Sequence, residues 1–501
     1  IFDPERDKFM IDEVISMVNI LPSVGSYANL IKLLEKAAQF NGYYKYGGRM
    51  LLEGSVQAAK TIAGDAPMPN AAAEASDTAA TKMKADEDSG SGSADYSTTN
   101  VQVQGVDEAD IVKTDGSYIY HVNKGRIVIA KAYPAEEMSI ASIISFPNET
   151  FNPQEMYIDD KYLVVIGSTS THVPYCRPLP ERKPGVPPVP PYYLCPTVKA
   201  IIYDIGNKAD IKKLREVEID VSYVSSRKIK SSLYLVANRH INYIMQGSQE
   251  NPVPSYRDTA AGEAFISVDY PEIRYFPHFE YYNYMIVAGI NLDDMDKAAN
   301  ISTYLGAGEN IYASAENMYV AVAKHSVEDR FQRNTLVYKF SLNNGKMIYL
   351  NSGKVPGTIL NQFSMDEHNR YFRIATTTGE VWRSDEYTSK NNVYILDETM
   401  SITGRLEDMA PGERIYSVRF MGERGYVVTF KTVDPLFVIE LKDPKNPRIL
   451  GALKIPGYSD YIHPYDENHI IGFGKDTVEI AQKDGMGNTI GTMAFYLGMK
   501  M

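Results

Sequence analysis

Between Ile415 and Gly457, four short runs of alternating apolar and polar residues are separated by turn residues. Ile415–Phe420 is the first run, and Gly422-Glu423-Arg424-Gly425 turns it into Tyr426–Phe430. A short turn carrying Asp434-Pro435 leads into Leu436–Leu441. Asp443-Pro444-Lys445-Asn446-Pro447 then introduces Ile449–Ile455, closed by Pro456-Gly457. Period-two alternation marks a strand with one buried face, and Gly, Pro, Asn and Asp supply the turns. Four such strands in about 45 residues match the repeat of a β-propeller blade.

The same pattern can be traced through the chain from Thr98 onward. A first group takes 111–113, 118–120, 127–129 and 143–146. A second takes 155–158, 162–166, 200–205 and 217–219, and a third 223–229, 233–237, 285–292 and 301–304. A fourth covers 311–313, 318–323, 336–342 and 347–350, and a fifth 361–365, 371–376, 393–397 and 401–405. The 415–457 template is the sixth. A seventh has 460–463, 469–474 and one strand near 493–497. The expected fold is therefore all-β, a seven-bladed β-propeller, or eight-bladed if the natural C-terminus continues. Thr98–Gln104 alternates like a strand and is expected to supply the outer strand that the seventh group lacks.

Upstream lies a short α-helical N-terminal appendage over residues 1–46. Asp3 and Pro4 suit a helix start, and Met10, Ile11, Val14, Ile15 and Val18 form an apolar stripe. A second helix runs from Ser26 to about Phe40, with Leu30, Leu33, Leu34, Ala37 and Ala38 on one face. Two such helices cannot bury a core of their own, so they must pack on something else. Residues 47–96 hold almost no aromatic side chains and end in Asp88-Ser89-Gly90-Ser91-Gly92-Ser93, the composition of a flexible low-complexity linker. The propeller occupies 97–501.

The net charge of −12, with no basic stripe to offset it, argues against a nucleic-acid partner. No run of 18 apolar residues is present, so no membrane span is expected in this chain. Cys176 and Cys195 bracket a proline-rich segment. Either they form a disulfide, worth ~3 kcal/mol on the loop-entropy model and implying an oxidising compartment, or they are two unpaired loop thiols. The start at Ile1 is compatible with a removed export signal. Asn148-Glu149-Thr150 and Asn300-Ile301-Ser302 fit the glycosylation triplet.

Long insertions at 168–198, 240–282, 324–334, 378–392 and 475–492 all fall between the second and third strand of a group. In an up-and-down blade those connections emerge on one side of the disc. One face is thus expected to carry loops and the other short turns, and loops on a rigid scaffold are where recognition concentrates. The 240–282 insertion is the richest, and its Tyr256, Arg257, Tyr275, Phe276, His278, Tyr281 and Tyr282 are candidate ligand-binding residues. Aromatic faces with polar tips suit sugar rings or extended peptides; the competing reading is a small core beneath the loop.

No catalytic residue can be assigned, and no phosphate loop, dinucleotide fingerprint, zinc-protease helix or nucleophile elbow appears. No metal site or cofactor is expected, although Asp107-Glu108-Ala109-Asp110 and Asp293-Asp294-Met295-Asp296 offer oxygens to calcium if they are not simply solvated turns. His463 and His469 read as parts of a hairpin.

Three stretches carry a family resemblance: Ser97–Gly116 with Val106-Asp107-Glu108-Ala109-Asp110-Ile111-Val112, Leu360-Asn361-Gln362-Phe363-Ser364-Met365-Asp366-Glu367, and His463-Pro464-Tyr465-Asp466-Glu467-Asn468-His469. They resemble a family of secreted proteins with a C-terminal β-propeller domain, distantly related to WD repeats. The resemblance implies a propeller and export, hence an extracellular or cell-surface location, and brings no established reaction. The expected function is an extracellular binding or scaffold module recognising protein or glycan through its loop-bearing face. The alternatives are a funnel hydrolase or lyase acting on polysaccharide or peptide, and a self-assembling cell-surface subunit.

Overall fold

The computed structural model describes residues 20–38, 101–146, 151–169, 197–241, 253–277, 279–306, 310–325, 332–430, 434–455, 458–466, 469–483 and 489–500. The expected first helix, the 47–96 linker, both cysteines and His278 lie outside these residues. Seven sheets follow one another along the chain, each built on a core of antiparallel strands taken in chain order, and two of them gain further strands from elsewhere in the chain. Blade one holds Val112–Thr114, Tyr118–Val122, Arg126–Lys131 and Ser139–Ser145; blade two starts with Phe151–Ile158 and Tyr162–Thr169 and continues with Thr197–Asp204 and Lys212–Ile219. Blades three to six begin at Ser222, Asn310, Met365 and Arg414 and end at Leu305, Pro356, Met409 and Ile455. Each has a core of four up-and-down strands in this order, to which blade three adds one strand at each edge.

The alternation read in the sequence becomes packing between blades. Tyr120, Ile127 and Ile129 of blade one meet Met156, Leu163 and Val165 of blade two. Val164 and Ile166 meet Leu233 and Leu235 of blade three, and separate clusters join three to four, four to five, five to six and six to seven. The central strands of blades two to six thus bury both of their faces, one against each neighbouring blade, which is why runs such as Leu233–Ala237 are apolar throughout; in blade one Ile119 stays 40% exposed.

The second helix forms over residues 27–38. Ser26 Oγ accepts the Asn29 N–H at 3.2 Å as its cap, and Leu30, Leu34 and Ala37 fall on one buried face. That face packs into the core shared by blades two and three. The strand-like lead-in is pinned as well: Val24 N–H donates to Ile273 O at 2.8 Å and Tyr275 N–H to Pro22 O at 2.9 Å. Residues 20–38 of the appendage therefore pack on the propeller, in part through the 240–282 insertion.

Three expectations change. Blade five's inner strand begins at Met365 and not Asn361, because Asn361 Oδ1 accepts the Phe363 N–H at 3.0 Å and caps a 3-10 turn over Gln362–Ser364. The expected 475–492 insertion is mostly strand: Ile470–Lys483 pairs with Thr489–Lys500, leaving five residues between them. In that ladder Val478 stands opposite Phe495 and Ile480 opposite Met493. Blade seven has three strands among the described residues: Tyr458–Pro464, Ile470–Lys483 and Thr489–Lys500.

The third change concerns Thr98–Gln104. Its described part, 101–104, does not lie on the rim of blade seven but at the hub. Val103 bridges Val106 in a tight reversal, and Gln102 Nε2 donates to Gln362 O at 3.3 Å and Met365 O at 3.1 Å. Val106–Asp107 then pairs with Ile229–Lys228 on the free edge of blade three's innermost strand, and Asp110 bridges Met156 of blade two. Innermost strands leave one edge of N–H and C=O groups unpaired, and this segment satisfies part of it. Asp107 and Glu108 also meet cations there: Lys113 Nζ lies 2.7 Å from Asp107 Oδ1, and Arg227 Nη2 lies 3.4 Å from Glu108 Oε1.

Candidate functional site

The connections between second and third strands leave the same edge of their blades, at Thr169/Thr197, His240/Asn283, His325/Arg333 and Thr378/Lys390. The aromatic insertion after His240 is knitted into two blades. Ser255–Asp258 adds to the outer strand of blade two, pairing Tyr256 with Ile219 and Arg257 with Glu218, and Ile266–Ser267 pairs beyond it. Ile273–Tyr275 runs parallel to the outer strand of blade three, with Arg274 opposite Tyr304.

The candidate side chains on this insertion have different surroundings. Phe276 is 1% exposed, stacked on Tyr304 at 5.6 Å and against Tyr338 at 4.1 Å. Tyr256, Tyr275 and Tyr282 are half-buried against the core that also receives the helix. Arg257 Nη2 reaches Glu216 at 2.7 Å and Glu218 at 2.9 Å, while Nη1 reaches Glu263 at 2.9 Å. Tyr281 is 47% exposed. Beneath them Arg215 grips Asp258 through Nε at 2.9 Å and Nη2 at 2.6 Å, both groups buried. The Asp258 carboxyl also accepts the N–H groups of Ala299 and Ala260. Burial alone would raise it, but Arg215 and these donors hold it below the usual range.

A second feature on the same side had only a weak signal in the sequence, the chain's single tryptophan. Between blades four, five and six lies a cleft of about 330 Å³, walled by Arg333, Thr358, Leu360, Thr378, Glu380, Trp382 and Arg414 among others. Its floor is covalently continuous with rigid strands. Thr358 and Thr377 exchange backbone hydrogen bonds at 3.0 and 2.9 Å, and Thr377 Oγ1 donates to Asn391 Oδ1 at 2.8 Å. The wall is the loop after Thr378. Gly379 turns it with φ +68°, where a Cβ would come within 2.4 Å of Tyr387 O, so the tight approach of the two loop limbs requires glycine. Glu380 N–H then donates to Tyr387 O at 2.8 Å and Ser389 N–H to Glu380 O at 3.1 Å.

Trp382 sits at the lip, 72% exposed. Arg383 buttresses it from behind, its guanidinium 5.5 Å from the indole and 4.9 Å from the Tyr387 ring. Asp385 holds that guanidinium through Nε at 2.8 Å and a second contact at Nη2. The hydrogen bond to Arg383 draws the Asp385 carboxyl below its ordinary range. Arg383 and Asp385 thus match each other, whereas two cations of the cleft form no ion pair among the described residues. Arg333 and Arg414 have no carboxylate within ion-pair distance among the described residues, and the Arg414 guanidinium meets Tyr416 by a 3.2 Å hydrogen bond and its ring at 5.0 Å. Among the described residues, no three His, Cys, Asp or Glu side chains converge as metal ligands.

Near the hub one carboxyl is perturbed. Glu155, on blade two's innermost strand, accepts a short hydrogen bond from Tyr223, whose hydroxyl also lies 2.7 Å from Ser226 Oγ. Burial pushes the Glu155 carboxyl up, against the lowering effects of Tyr223 and Arg227. His463 and His469 flank a reversal, with His469 Nδ1 2.8 Å from Asp466.

Solved structures resembling this chain include the N-terminal domain of Nup159 (9% identity, TM-score 0.29, 80% of this chain and 88% of that one). Another is the β-propeller domain of the Trilobed protease from Pyrococcus furiosus (10% identity, TM-score 0.31, 78% and 96%). Curated relatives include an uncharacterized protein of Methanocaldococcus jannaschii, 32% identical over 76% of this chain and 65% of its own length. An uncharacterized protein of Archaeoglobus fulgidus is 30% identical over 76% of this chain and 67% of its length. The chain thus spans about two thirds of the curated relatives it matches. The family model described as "Beta propeller domain" matches residues 96–501, the stretch that holds all seven sheets, and the chain belongs to that family.

Proposed function

We propose that this chain is a binding module of the cell exterior that holds a saccharide on the loop-bearing face of its propeller, with the cleft around Trp382 as the contact. The observation that carries this reading is the indole itself: a large apolar ring, mostly in water, on a buttressed loop beside threonine hydroxyls and a carboxylate. Exposing such a ring costs about 1.5–3 kcal/mol relative to burying it, and sugar rings present C–H faces that stack on aromatic faces while their hydroxyls pair with polar neighbours. Tyr281 extends the same side of the molecule as a further aromatic contact. The resemblance of Ser97–Gly116 to exported propeller proteins supports an extracellular or cell-surface setting.

Trp382 is the chain's only tryptophan, so its emission reports the site directly. The test is titration of the full chain with a panel of oligosaccharides, read by Trp382 emission and calorimetry, with Trp382→Ala as control. Saturable binding that vanishes in Trp382→Ala is expected; a panel without a binder refutes the reading.

A second reading, hydrolysis of a polymer at the hub, has one specific support in the raised Glu155 carboxyl, a state suited to a general acid. It requires release of reducing ends by the wild type and its loss in Glu155→Gln. Binding without release leaves the module reading alone.

A further inference from the structure

Resting on the saccharide reading above, we propose that the ligand of the Trp382 cleft is an acidic saccharide, a uronate-bearing chain whose carboxylate is held by Arg333 and Arg414 while a ring face stacks on the indole. Three observations converge on it.

The first is which cations lack an acid. Along the wide insertion Arg215, Arg239 and Arg257 all meet carboxylates, and at the hub Lys113, Arg227 and Arg373 do the same. In a chain of net charge −12, two guanidiniums on one cleft, neither within ion-pair distance of a carboxylate among the described residues, mark a place where an anion can pair. Guanidinium is also the cation whose planar donors match a carboxylate in paired hydrogen bonds.

The second is that the remaining polar groups suit hydroxyls. Glu380 lines the cleft outside any ion pair among the described residues, an acceptor for vicinal hydroxyl donors. Thr378 Oγ1 spends its proton on Lys390 O at 3.2 Å and keeps lone pairs to accept. The third is size: about 330 Å³ is at the lower end of small-ligand sites, suited to a short stretch of sugar and open at the lip where Trp382 stands. An acidic peptide would use the two arginines but has no comparable use for the open indole and the hydroxyl partners.

The test uses the full chain at fixed ionic strength, titrated with trigalacturonate, a neutral galactose trisaccharide and tri-glutamate. Trp382 emission and calorimetry are the readouts. The expected result is trigalacturonate binding tighter than the neutral trimer by about tenfold or more, with tri-glutamate weaker still. Arg333→Gln/Arg414→Gln, both at exposed positions, should remove that advantage, so that within this variant the acidic and neutral trimers bind about equally. Equal affinity for acidic and neutral trimers overturns the inference and leaves the saccharide reading standing. Tri-glutamate binding as well as trigalacturonate overturns it in favour of charge alone. Binding of none of the probes, with no binder in the wider panel, removes both readings.

Discussion

The insertion after His240 and the loop after Thr378 leave the same side of the propeller, and they treat their side chains in opposite ways. The long one carries many aromatic rings and nearly all the conspicuous charges, yet it resolves most of them internally. Phe276 disappears between Tyr304 and Tyr338, Arg257 is divided among three glutamates, and three short strands are added to blades two and three. The short one has a single indole and leaves it in water, beside two arginines that form no ion pair among the described residues. A loop long enough to fold back on the scaffold can bury its own aromatic area; a loop of about ten residues cannot. Richness in aromatic residues therefore measures what a loop can bury, and a site is better marked by what remains unmatched.

The contrast can be broken most strongly at Arg215. Removing one partner of a buried pair leaves an uncompensated charge, so Arg215→Ala should lower stability by about 3–5 kcal/mol in urea denaturation. Arg333→Ala should change it by less than about 0.5 kcal/mol. Equal losses would mean that the cleft arginine is structural after all.

Next in size is Gly379→Ala. The left-handed backbone and the 2.4 Å approach to Tyr387 O predict a cost of about 1–3 kcal/mol, with a shift in Trp382 emission as the loop limbs part. An unchanged emission spectrum would show that the loop is not held by that turn.

The pH response separates the regions further. Burial works to raise the Glu216 carboxyl, but hydrogen bonds from Lys213 and Arg257 prevail and hold it at about 2, below its ordinary 4.5. A folded-state value below the unfolded one adds stability above pH 4.5 that is lost as pH falls toward 2. Glu216→Gln should flatten the stability profile across that window, and a wild-type slope persisting in the variant would assign the acid sensitivity elsewhere. The smallest effect on stability belongs to Trp382→Ala, within about 0.5 kcal/mol, although it should abolish saccharide binding.

These two loops also show where the sequence was transparent and where it was opaque. Strands such as Leu233–Ala237 and Tyr426–Phe430 are legible because each buries side chains against neighbouring blades, so the apolar pattern is dense and the turns between are short. The helix over 27–38 is legible for the same reason, through Leu30, Leu34 and Ala37. Thr98–Gln104 advertised a strand by its alternation, but alternation says nothing about which edge a strand will seek; Gln102 found carbonyls at the hub. The cleft was harder still. Arg333 and Arg414 look like any other arginines until folding decides which carboxylates reach them, and that depends on blade-to-blade geometry absent from local pattern. The lone tryptophan, in a short polar loop, was the one clue on the page.

The placement of residues 101–110 has a mechanical consequence. Once the 20–38 segment is drawn off the insertion, a tension reaching residue 101 would be delivered to the innermost strands of blades two and three, where Val106–Asp107 and Asp110 are hydrogen-bonded, instead of to an outer strand that could be unzipped one bond at a time. Like a rope tied to an axle and not to the rim, the attachment spreads the pull over several blades at once, and the loop-bearing side stays in register under load.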